Sequence, residues 1–388
     1  MESLIRIFSP PIEKSYFIFG PRGTGKSTWV KQNYPKAVII DLLEPDTYRQ
    51  YKSFPERFRE VVTALSNQSI FVIDEIQKAP SLLSLIHALI EENKQWKFIL
   101  TGSSARKLKR EGVDLLAGRA LLTHMHPFMA VELGNQFSLS NALRFGMLPL
   151  IYGSADPAAD LKAYLALYMK EEVQLEGLVR HIEEFGQFLE VMSFSQGSIL
   201  NYSNIARDCH VSSKSVENYV SILEDLLLSF KLPVFSKKAK RNLIAKSKFY
   251  YFDAGVYRAI RPKGPLDYPE ELNGIALETL VAQHLRAWLD YSTQEGKLYF
   301  WRTKNGLEVD FIIYGEIGFY AIEVKHATHI HPRDLKGLTE FKQDYPEVNC
   351  LLLYQGKEML KKGEVLCCPV EKFLSALHPG EALAFHPR

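Results

Sequence analysis

The sequence predicts an α/β protein that begins with a parallel sheet and ends with a second, smaller α/β part. Three observations lead to this fold class. A short apolar strand at 17–19 runs into a glycine-rich loop and then into a helix. Later apolar runs lie at 37–41, 69–75 and 96–104, and segments with the apolar spacing of helices separate them. This alternation is typical of buried parallel strands joined by helices. Near the C-terminus, two apolar runs flank a short turn that begins and ends with glycine, and this pattern predicts a hairpin.

Length and composition set the class of protein. A chain of 388 residues is too long for one ordinary core, so we expect two or three domains. Hydrophobic residues make up 46% and charged residues 24%, which is typical of a soluble globular protein. The net charge of +2 provides no argument for a nucleic-acid partner, so such an argument must come from local charge.

Cysteine spacing and hydropathy indicate the cellular setting. The four cysteines lack metal-site spacing, and a reducing cytoplasm fits them. There is no signal-peptide pattern and no apolar run of about 18 residues. We therefore expect a cytoplasmic protein with no membrane partner.

The loop after the first strand has the complete G-x-x-x-x-G-K-S spacing. Glycines let backbone N–H groups turn toward phosphate oxygens, and the following helix adds its N-terminal dipole. Lys26 would reach the β- and γ-phosphates, and the Ser27 hydroxyl would ligate Mg²⁺. A chance glycine-rich turn would not combine strand, loop, lysine and serine. The sequence therefore predicts a site for ATP and Mg²⁺, formed by Gly20, Pro21, Arg22, Gly23, Thr24, Gly25, Lys26, Ser27 and Thr28.

The apolar run at 69–73 ends in two acids, Asp74 and Glu75. A carboxylate at the carboxyl end of a parallel strand faces the ligand site of such a sheet. Asp74 would hold the Mg²⁺ through water, and Glu75 would orient or activate the attacking water. Two solvated acids at a strand end are the alternative, which the preceding P-loop disfavours.

These motifs, together with Leu100 to Ser104, Ala117-Gly118-Arg119 and His126-Pro127-Phe128, resemble a family of prokaryotic AAA-type ATPases. That family carries a C-terminal domain of unknown function, and the resemblance spans essentially the whole chain. It implies a sensor for the γ-phosphate or water at Thr101 or Ser103. A helix N-cap at Ser103 or Ser104 is compatible with that role.

The same resemblance implies a homo-oligomer in which an arginine completes the neighbour's site. Arg119 and Arg106 are the candidates for this catalytic arginine. The alternative for Arg119 is a structural ion pair at a helix end, a common use of arginine. Residues from 128 to about 192 show helical spacing, with a loop at 153–157, and would form a lid over the nucleotide.

Residues 198–235 have the pattern of a helix-turn-helix. A short helix begins near Tyr202, and Ser213 caps a longer one. His210 stands in the turn where glycine is usual, and Lys214 and Asn218 would face outward. Runs at 231–235 and 248–252 would be the strands of a wing.

This region is locally basic, with only Asp253 opposing. Between Lys231 and Lys263 the basic residues are Lys237, Lys238, Lys240, Arg241, Lys246, Lys248, Arg258 and Arg261. Clustered positive charge beside a recognition helix indicates contact with the phosphate backbone of DNA. The alternative is a structural or protein-contact module with a solvated basic face.

The last part combines a helix at 275–290, which carries Glu278, with the hairpin. Strand alternation places Glu323 and Lys325 on one face, with Asp310 across the hairpin. Such a set can hold Mg²⁺ and activate water for phosphodiester cleavage. The arrangement looks like the PD-(D/E)xK nuclease core. By that resemblance Asp310 and Glu323 ligate metal, Lys325 positions the water and Glu278 supplements the site. The alternative is a salt-bridged hairpin in a fold that has lost activity.

We therefore expect four parts. They are a P-loop ATPase core at 1–127, a helical lid at 128–195, a winged helix at 196–262 and a restriction-endonuclease-like α/β domain at 263–388. The leading hypothesis is a Mg²⁺-dependent ATPase that acts on DNA and whose nucleotide state gates a metal-dependent nuclease site. The alternative is a nucleotide-dependent switch or regulator that binds a protein partner and has a non-catalytic, nuclease-like tail.

Overall fold

The chain divides into two compact units. A computed structural model describes residues 5–10, 13–65, 69–104, 118–168, 173, 179, 182–237 and 246–383. The N-terminal unit comprises Arg6–His126 and Asp225–Leu228. The C-terminal unit comprises Pro127–Glu224 and Ser229–Arg388, together with Met1–Ile5. No helix among the described residues is long and apolar enough to span a bilayer.

The N-terminal unit is a five-stranded parallel sheet with helices between the strands. Its strands are β1 (Ser15–Phe19), β2 (Val38–Asp41), β3 (Ile70–Asp74), β4 (Lys97–Gly102) and β5 (Ala120–His124). Its helices are α1 (Lys26–Asn33), α2 (Pro45–Ser53), α3 (Glu56–Ala64) and α4 (Leu82–Glu92). The predicted alternation of apolar strands and helices is confirmed. One detail differs, because β2 is an edge strand and Ile39 is exposed, whereas its apolar run predicts a buried strand.

The strand order β2-β3-β4-β1-β5 positions the functional residues of this unit. Strand β4 lies between β1, which precedes the glycine-rich loop, and β3, which precedes Asp74. The carboxyl end of β4 therefore lies between the loop and the acids. Apolar rings hold the sheet against its helices, and Phe71 stacks on Phe98 with centroids 5.6 Å apart. Each fully buried side chain of this size contributes about 1.5–3 kcal/mol.

The C-terminal unit begins with helices and a small antiparallel sheet. The helices are α5 (Ala130–Leu133), α6 (Leu139–Phe145), α7 (Pro157–Tyr168), α8 (Ile182–Ser193), α9 (Tyr202–Asp208), α10 (Ser213–Asp225) and α11 (Ala254–Ile260). The sheet has the order β6-β8-β7 and consists of β6 (Ser198–Ile199), β7 (Ser229–Leu232) and β8 (Lys248–Tyr251).

The α9 and α10 helices follow the predicted helix-turn-helix pattern. His210, in the turn between them, has φ 55°, the left-handed conformation that explains why glycine is usual there. Lys214 and Asn218 are exposed on α10, as predicted. The assignment of this segment to a winged helix stays a prediction, as does the placement of a lid over the nucleotide.

A six-stranded mixed sheet dominates the rest of the C-terminal unit. Its order is β13-β14-β12-β11-β10-β9, with β9 (Gly296–Arg302), β10 (Glu308–Gly315), β11 (Gly318–Val324), β12 (Asn349–Tyr354), β13 (Leu360–Lys362) and β14 (Val365–Pro369). The helices that accompany it are α12 (Pro269–Tyr291), α13 (Lys336–Asp344) and α14 (Val370–Ser375). The predicted hairpin is confirmed, because β10 and β11 pair antiparallel with Gly315 opposite Gly318.

Two features of these elements position the second group of functional residues. The pairing of β10 with β9 shifts its register between Val309 and Ile312, an irregularity that flanks Asp310. Such bulges re-aim side chains and are frequent beside functional sites. Helix α12 begins with Pro269 in its first turn, where a missing N–H costs nothing. Most of its length is buried, so it carries polar residues such as Thr279 and His284 into the interior.

Candidate functional sites

The glycine-rich loop between β1 and α1 has the backbone that phosphate binding requires. Gly23 and Gly25 have φ of 82° and 89°, which side chains rarely adopt. At Gly20 a Cβ atom would lie 2.3 Å from the carbonyl oxygen of Met125, so only glycine fits there. Lys26 donates from Nζ to the carbonyl oxygens of Gly20 at 2.7 Å and Pro21 at 3.1 Å. The lysine ammonium therefore lies across the loop.

Arg6 supports this loop from outside the predicted motif. Its Nη1 donates to the carbonyl oxygen of Thr24 and its Nη2 to that of His126, both at 2.7 Å. The guanidinium therefore ties the loop to the segment that follows β5. Arg6 is not predictable from the sequence, because a single arginine in an irregular segment carries no spacing signal.

The ends of β3 and β4 form one hydrogen-bonded network. Thr101 Oγ1 donates to Asp74 Oδ1 and accepts the Glu75 N–H at 3.0 Å. Ser103 Oγ donates to Glu75 Oε2 at 3.0 Å. Both sensor candidates thus contact the acids, Thr101 at Asp74 and Ser103 at Glu75. Their contact with a γ-phosphate or water stays a prediction.

Gln77 is a further member of this network that sequence reasoning missed. Its Nε2 donates to Glu75 Oε2 and, at 2.9 Å, to Ser103 Oγ. Glu75 has φ 61°, a left-handed conformation that is uncommon for a residue other than glycine. Backbone strain of this kind clusters at functional sites. Gln77 therefore holds the Glu75 carboxylate after an unusual backbone turn.

The pKa values of the two acids shift in opposite directions. Burial raises the pKa of Asp74, although hydrogen bonds from Thr101 and Ser27 oppose this effect. Burial also acts to raise the pKa of Glu75, but the charge of Lys26 and the hydrogen bonds of Gln77 and Ser103 outweigh it and hold that pKa below its usual range. Glu75 is therefore ionised at neutral pH and suited to accept a proton or a hydrogen bond from water.

The side chains next to the loop fit Mg²⁺. Ser27 and Asp74 share a hydrogen bond, so a hydroxyl and a carboxylate oxygen lie side by side. Mg²⁺ prefers such oxygen ligands and keeps several waters. A buried carboxyl with a raised pKa is also one that a cation would stabilise. Ser27 and Asp74 are thus the residues that would hold the ion.

Arg119 lies on the surface of the N-terminal unit, at the residue before β5. Its Nε donates to Glu91 Oε1 at the end of α4. Lys94 and Arg119 together lower the pKa of the Glu91 carboxyl to about 2. The structure thus shows the ion pair that was the alternative for Arg119, and its role at a neighbouring subunit stays a prediction. Arg106 lies outside the described residues.

The C-terminal unit brings together the predicted hairpin residues. Lys325 Nζ donates to Glu323 Oε1 at 2.5 Å, and Asp310 Oδ2 accepts the Val324 N–H at 2.9 Å. Asp310 and Glu323 are each 7% exposed. Burial first, then the charge of Asp310, raises the pKa of Glu323 to about 8, while Lys325 opposes the rise. The shared face predicted for Glu323 and Lys325 is confirmed by this contact.

A second lysine lies among the acids. Lys248 Nζ is 3.2 Å from Glu278 Oε1, contacts Glu308 Oε1 and is 3.6 Å from Asp310 Oδ1. Burial disfavours its charge, but Glu278 and the neighbouring acids outweigh this and raise the pKa of Lys248 well above its usual value. The sequence groups Lys248 with the basic residues expected to contact DNA or to form a solvated basic face, and both interpretations are wrong for Lys248, because this side chain is 2% exposed.

Glu278 lies in the cluster through partners that the sequence did not indicate, and its role as a supplement to a nuclease site stays a prediction. Tyr250 donates its hydroxyl to Glu278 Oε1 at 2.5 Å. Burial raises the pKa of Glu278, with Lys248 opposing. Glu308 also pairs with Arg302 Nη1 at 2.8 Å. Lys248 and Tyr250 are two residues apart on β8, so both side chains lie on the same face of this short strand.

The oxygen atoms of this cluster fit a cation in part. Glu323 Oε2 is buried and has no hydrogen-bond partner, which leaves one carboxylate oxygen to be satisfied. Within the described ranges, however, no three His, Cys, Asp or Glu side chains are arranged to hold a metal ion. Asp310 and Glu323 are the predicted pair of ligands. Lys248 already supplies positive charge to Asp310.

The basic segment is less exposed than its sequence suggests. Arg258 donates to Asn273 Oδ1 at 2.6 Å, and Arg261 pairs with Asp267 at 3.0 Å. Asp253, the expected opposing charge, is instead buried and accepts from backbone N–H groups, those of Gly255 and Met147 among them. Lys238, Lys240 and Arg241 lie outside the described residues. Lys237 and Lys246 are exposed.

Three family models match consecutive parts of the chain. Residues 13–134 match an AAA domain, residues 136–267 a domain of unknown function (DUF8612) and residues 273–373 a domain of unknown function (DUF4143). The first match supports an AAA-type P-loop ATPase domain. Together with the parallel sheet and the loop geometry, it makes the N-terminal unit a nucleotide-binding fold.

Related sequences and solved structures add little about function. An uncharacterized protein of Mycobacterium tuberculosis is 23% identical over 377 residues, covering 94% of this chain and 82% of the relative. One of Haemophilus influenzae is 22% identical over 310 residues, covering 73% and 74%. AMPPCP-bound DnaA from Aquifex aeolicus overlaps 55% of this chain and 82% of its own with 13% identity and a TM-score of 0.27. A protein from Vibrio cholerae overlaps 94% and 96% with 10% identity and a TM-score of 0.21. TM-scores this low do not establish a shared fold or function.

Proposed function

We propose that this protein is a Mg²⁺-dependent ATPase that acts on DNA and carries a metal-dependent nuclease site in its C-terminal unit. One observation carries the ATPase part. Asp74 and Glu75 follow β3 beside the glycine-rich loop, with Ser27 hydrogen-bonded to Asp74 and Lys26 close enough to lower the pKa of Glu75. Loop, metal ligands and water-activating carboxylate thus lie at one edge of the sheet.

The residues of the chain divide the hydrolysis step among them. The loop N–H groups and Lys26 bind and orient the β- and γ-phosphates. The ionised Glu75 aligns the attacking water and accepts its hydrogen bond, while Gln77 and Ser103 hold the carboxylate in place. Mg²⁺ bound by Ser27 and Asp74 would neutralise phosphate charge. Loss of the Glu75 carboxylate should therefore abolish ATP hydrolysis and leave ATP binding intact.

Phosphate release and nucleotide binding, measured separately, test this assignment. Glu75→Gln keeps the shape of the side chain and should bind ATP normally while hydrolysis falls by a factor on the order of 10² to 10⁴. Lys26→Ala should lose both binding and hydrolysis. Hydrolysis by Glu75→Gln at the wild-type rate would exclude the proposed role.

The nuclease part is supported by the contact of Lys325 with Glu323 and by the buried, unpartnered oxygen of Glu323. Asp310 and Glu323 would hold a divalent cation that polarises a phosphodiester, and Lys325 would position the attacking water. The test is Mg²⁺-dependent nicking of single-stranded, duplex and branched DNA. Asp310→Ala and Lys325→Ala should abolish nicking, whereas Glu316→Gln, in the exposed hairpin turn, should leave it unchanged.

Nucleotide hydrolysis would gate this second site by biasing domain arrangement or oligomeric state. The support is that both sites belong to one chain. Lys26→Ala should therefore change DNA binding or cleavage, and equal values for variant and wild type would exclude gating. The helical lid, the winged helix and the arginine finger at Arg119 are parts of the same proposal. Mixing Arg119→Ala with Lys26→Ala subunits and measuring restored ATPase activity tests the finger.

A second function has one specific observation in its favour. Lys248 places an ammonium among Glu278, Glu308 and Asp310, where it supplies positive charge without a metal. This favours a nucleotide-dependent switch that binds a protein partner through a non-catalytic tail. Absence of cleavage on all three DNA forms, in a protein that still hydrolyses ATP, would establish the switch over the nuclease.

A further inference from the structure

A large basic cavity lies in the C-terminal unit, outside the sites described so far. It has a volume of about 970 Å³ and is bounded by residues of α6, α14, α11 with the segment that follows it, and the loop after β12. Among the described residues that line it, five are cationic and one, Glu371, is acidic. The cationic residues are Arg144, Arg258, Lys263, Lys357 and Lys372.

Four of these cations lack a carboxylate partner among the described residues. Over the described part of the chain, Arg144, Lys263, Lys357 and Lys372 take part in no salt bridge. Burial and the charges of Arg258 and Arg144 lower the pKa of Lys263, as expected when like charges share a cavity. A concave, positively charged surface concentrates anions.

Part of this surface is pre-organised. Arg258 is held by Asn273 Oδ1 at 2.6 Å and by the Leu143 carbonyl oxygen at 3.4 Å. The guanidinium of Arg144 lies 4.8 Å from the ring centroid of Phe145. A guanidinium with a fixed plane suits bidentate contact with phosphate oxygens.

The cavity adjoins the acidic cluster through two lining residues. His326 directly follows Lys325, and Asn273 precedes Glu278 by five residues on α12. Between them, a Cβ atom at Gly274 would lie 3.7 Å from His326 Cβ, so helix and strand end touch here. Gly274 and Glu278 are four residues apart, about one helical turn. The lining residues Asn273 and His326 are therefore near neighbours of the cluster residues Glu278 and Lys325.

We propose that this cavity binds consecutive phosphates of a single nucleic-acid strand and leads the strand to Asp310, Glu323 and Lys325. The inference rests on the proposed action on DNA. The volume of the cavity is at the upper end of the range for small-ligand pockets, about 300–1,000 Å³, so the cavity admits a short stretch of a single strand. A double helix is too large for a cavity of this volume, since its major groove alone is about 12 Å wide and about 8.5 Å deep. The site therefore selects a single-stranded end or flap over an intact duplex.

The test measures the binding of short fluorescent oligonucleotides by fluorescence anisotropy. It uses full-length Asp310→Asn protein, which separates binding from cleavage. In that background, the double substitution Lys357→Gln and Lys372→Gln should weaken single-strand affinity on the order of tenfold at 0.1 M salt and lower the salt slope by roughly 1 to 2. Both lysines are exposed, so the variant should fold, which its melting temperature checks.

The matched control removes two exposed lysines of the basic segment, Lys237→Gln and Lys246→Gln, with the same loss of charge. It should change single-strand affinity less than the cavity variant does. If the control weakens binding and the cavity variant does not, the strand binds elsewhere and this inference is overturned, while action on DNA stands. If the wild-type chain binds no DNA, the proposed function fails as well. Saturation by inorganic phosphate, without affinity for oligonucleotide, would assign the cavity to a small anion and overturn the inference.

Discussion

Lys248 Nζ lies 3.2 Å from Glu278 Oε1, and the two side chains are 2% and 21% exposed. The lysine comes from β8 of the small three-stranded sheet, and the glutamate comes from α12, which packs against the six-stranded sheet. One buried ion pair thus joins the helix-turn-helix segment to the acidic cluster. A charge in this environment is expensive to leave without its partner.

Lys248→Met should therefore destabilise the C-terminal unit. Removing one partner of a buried pair costs about 3–5 kcal/mol, because the buried Glu278 carboxyl is left without its cation. Adding Glu278→Gln to Lys248→Met should recover part of this loss. The measurement is urea unfolding of wild type, the single variant and the double variant.

The matched control is Lys246→Met, an exposed lysine two residues earlier. It should change the unfolding free energy by no more than about 0.5 kcal/mol. Equal stability of the two lysine variants would show that the Lys248 contacts carry no net energy.

Glu323→Gln should abolish binding of Mn²⁺ to the C-terminal cluster. The substitution removes the carboxyl group whose second oxygen, Oε2, has no hydrogen-bond partner, and hard cations bind carboxylate oxygens of this kind. Electron paramagnetic resonance of free Mn²⁺ measures this without nucleotide, in a Lys26→Ala background that disables the other site. Glu316→Gln is the control and should bind as well as its parent. Undiminished binding by Glu323→Gln would remove this residue from the ligand set.

Gln77→Leu should lower the rate of ATP hydrolysis by roughly tenfold, with little change in ATP affinity. Gln77 contacts Glu75 and Ser103, so its loss frees the carboxylate to move and removes a hydrogen bond to a charged group. Leucine also eliminates the buried Gln77 Oε1, which has no partner, and this offsets part of the stability lost with the hydrogen bonds. Gln95→Leu, exposed just before β4, is the control for ATPase assays. A weakened affinity with an unchanged rate would contradict this role.

Arg6→Ala should weaken ATP binding by roughly tenfold and change the maximal rate less. The guanidinium holds the Thr24 carbonyl of the loop, so the loop should be less ordered without it. ATP binding would then have to order the loop, and this lowers the affinity. Titration with a fluorescent ATP analogue gives the affinity. Arg49→Ala removes an exposed arginine that pairs with Asp46 on α2 and should bind normally. Equal affinities of the two variants would exclude the clamp.

His284 predicts a loss of stability in mild acid. Its Nε2 accepts the Ala130 N–H at 2.9 Å and its Nδ1 contacts the Leu280 carbonyl, so the ring is buried and neutral. Burial lowers its pKa from 6.5 to about 4. Between these values the unfolded chain binds more protons than the folded chain, so stability falls as pH decreases from 6.5 toward 4.

Wild type should therefore lose about 2 kcal/mol more than His284→Gln between pH 7 and pH 5. Glutamine keeps an acceptor without titrating. His210→Asn, in the exposed turn, should behave as wild type. Urea unfolding at both pH values provides the comparison, and parallel pH profiles for wild type and His284→Gln would refute the assignment.

Features that depend on neighbouring residues were predictable. The loop at Gly20–Ser27, the acids after β3 and the pairing of Glu323 with Lys325 follow from spacing, because strand alternation and turn chemistry are local. The edge position of β2 was missed, since an apolar run does not reveal how many neighbours a strand has. Gln77 was missed because its role depends on the backbone turn at Glu75.

By itself, the sequence determined that a glycine-rich P-loop and a pair of acids follow two apolar strands, and that two acids and a lysine share a hairpin. Tertiary structure alone decided that Lys248 is buried among Glu278, Glu308 and Asp310 and not exposed on a basic face. It also decided that cations from four separate segments surround one cavity. The physical reason is that periodicity specifies which way a side chain points from its own element. Which charge it meets depends on the packing of elements far apart in the chain.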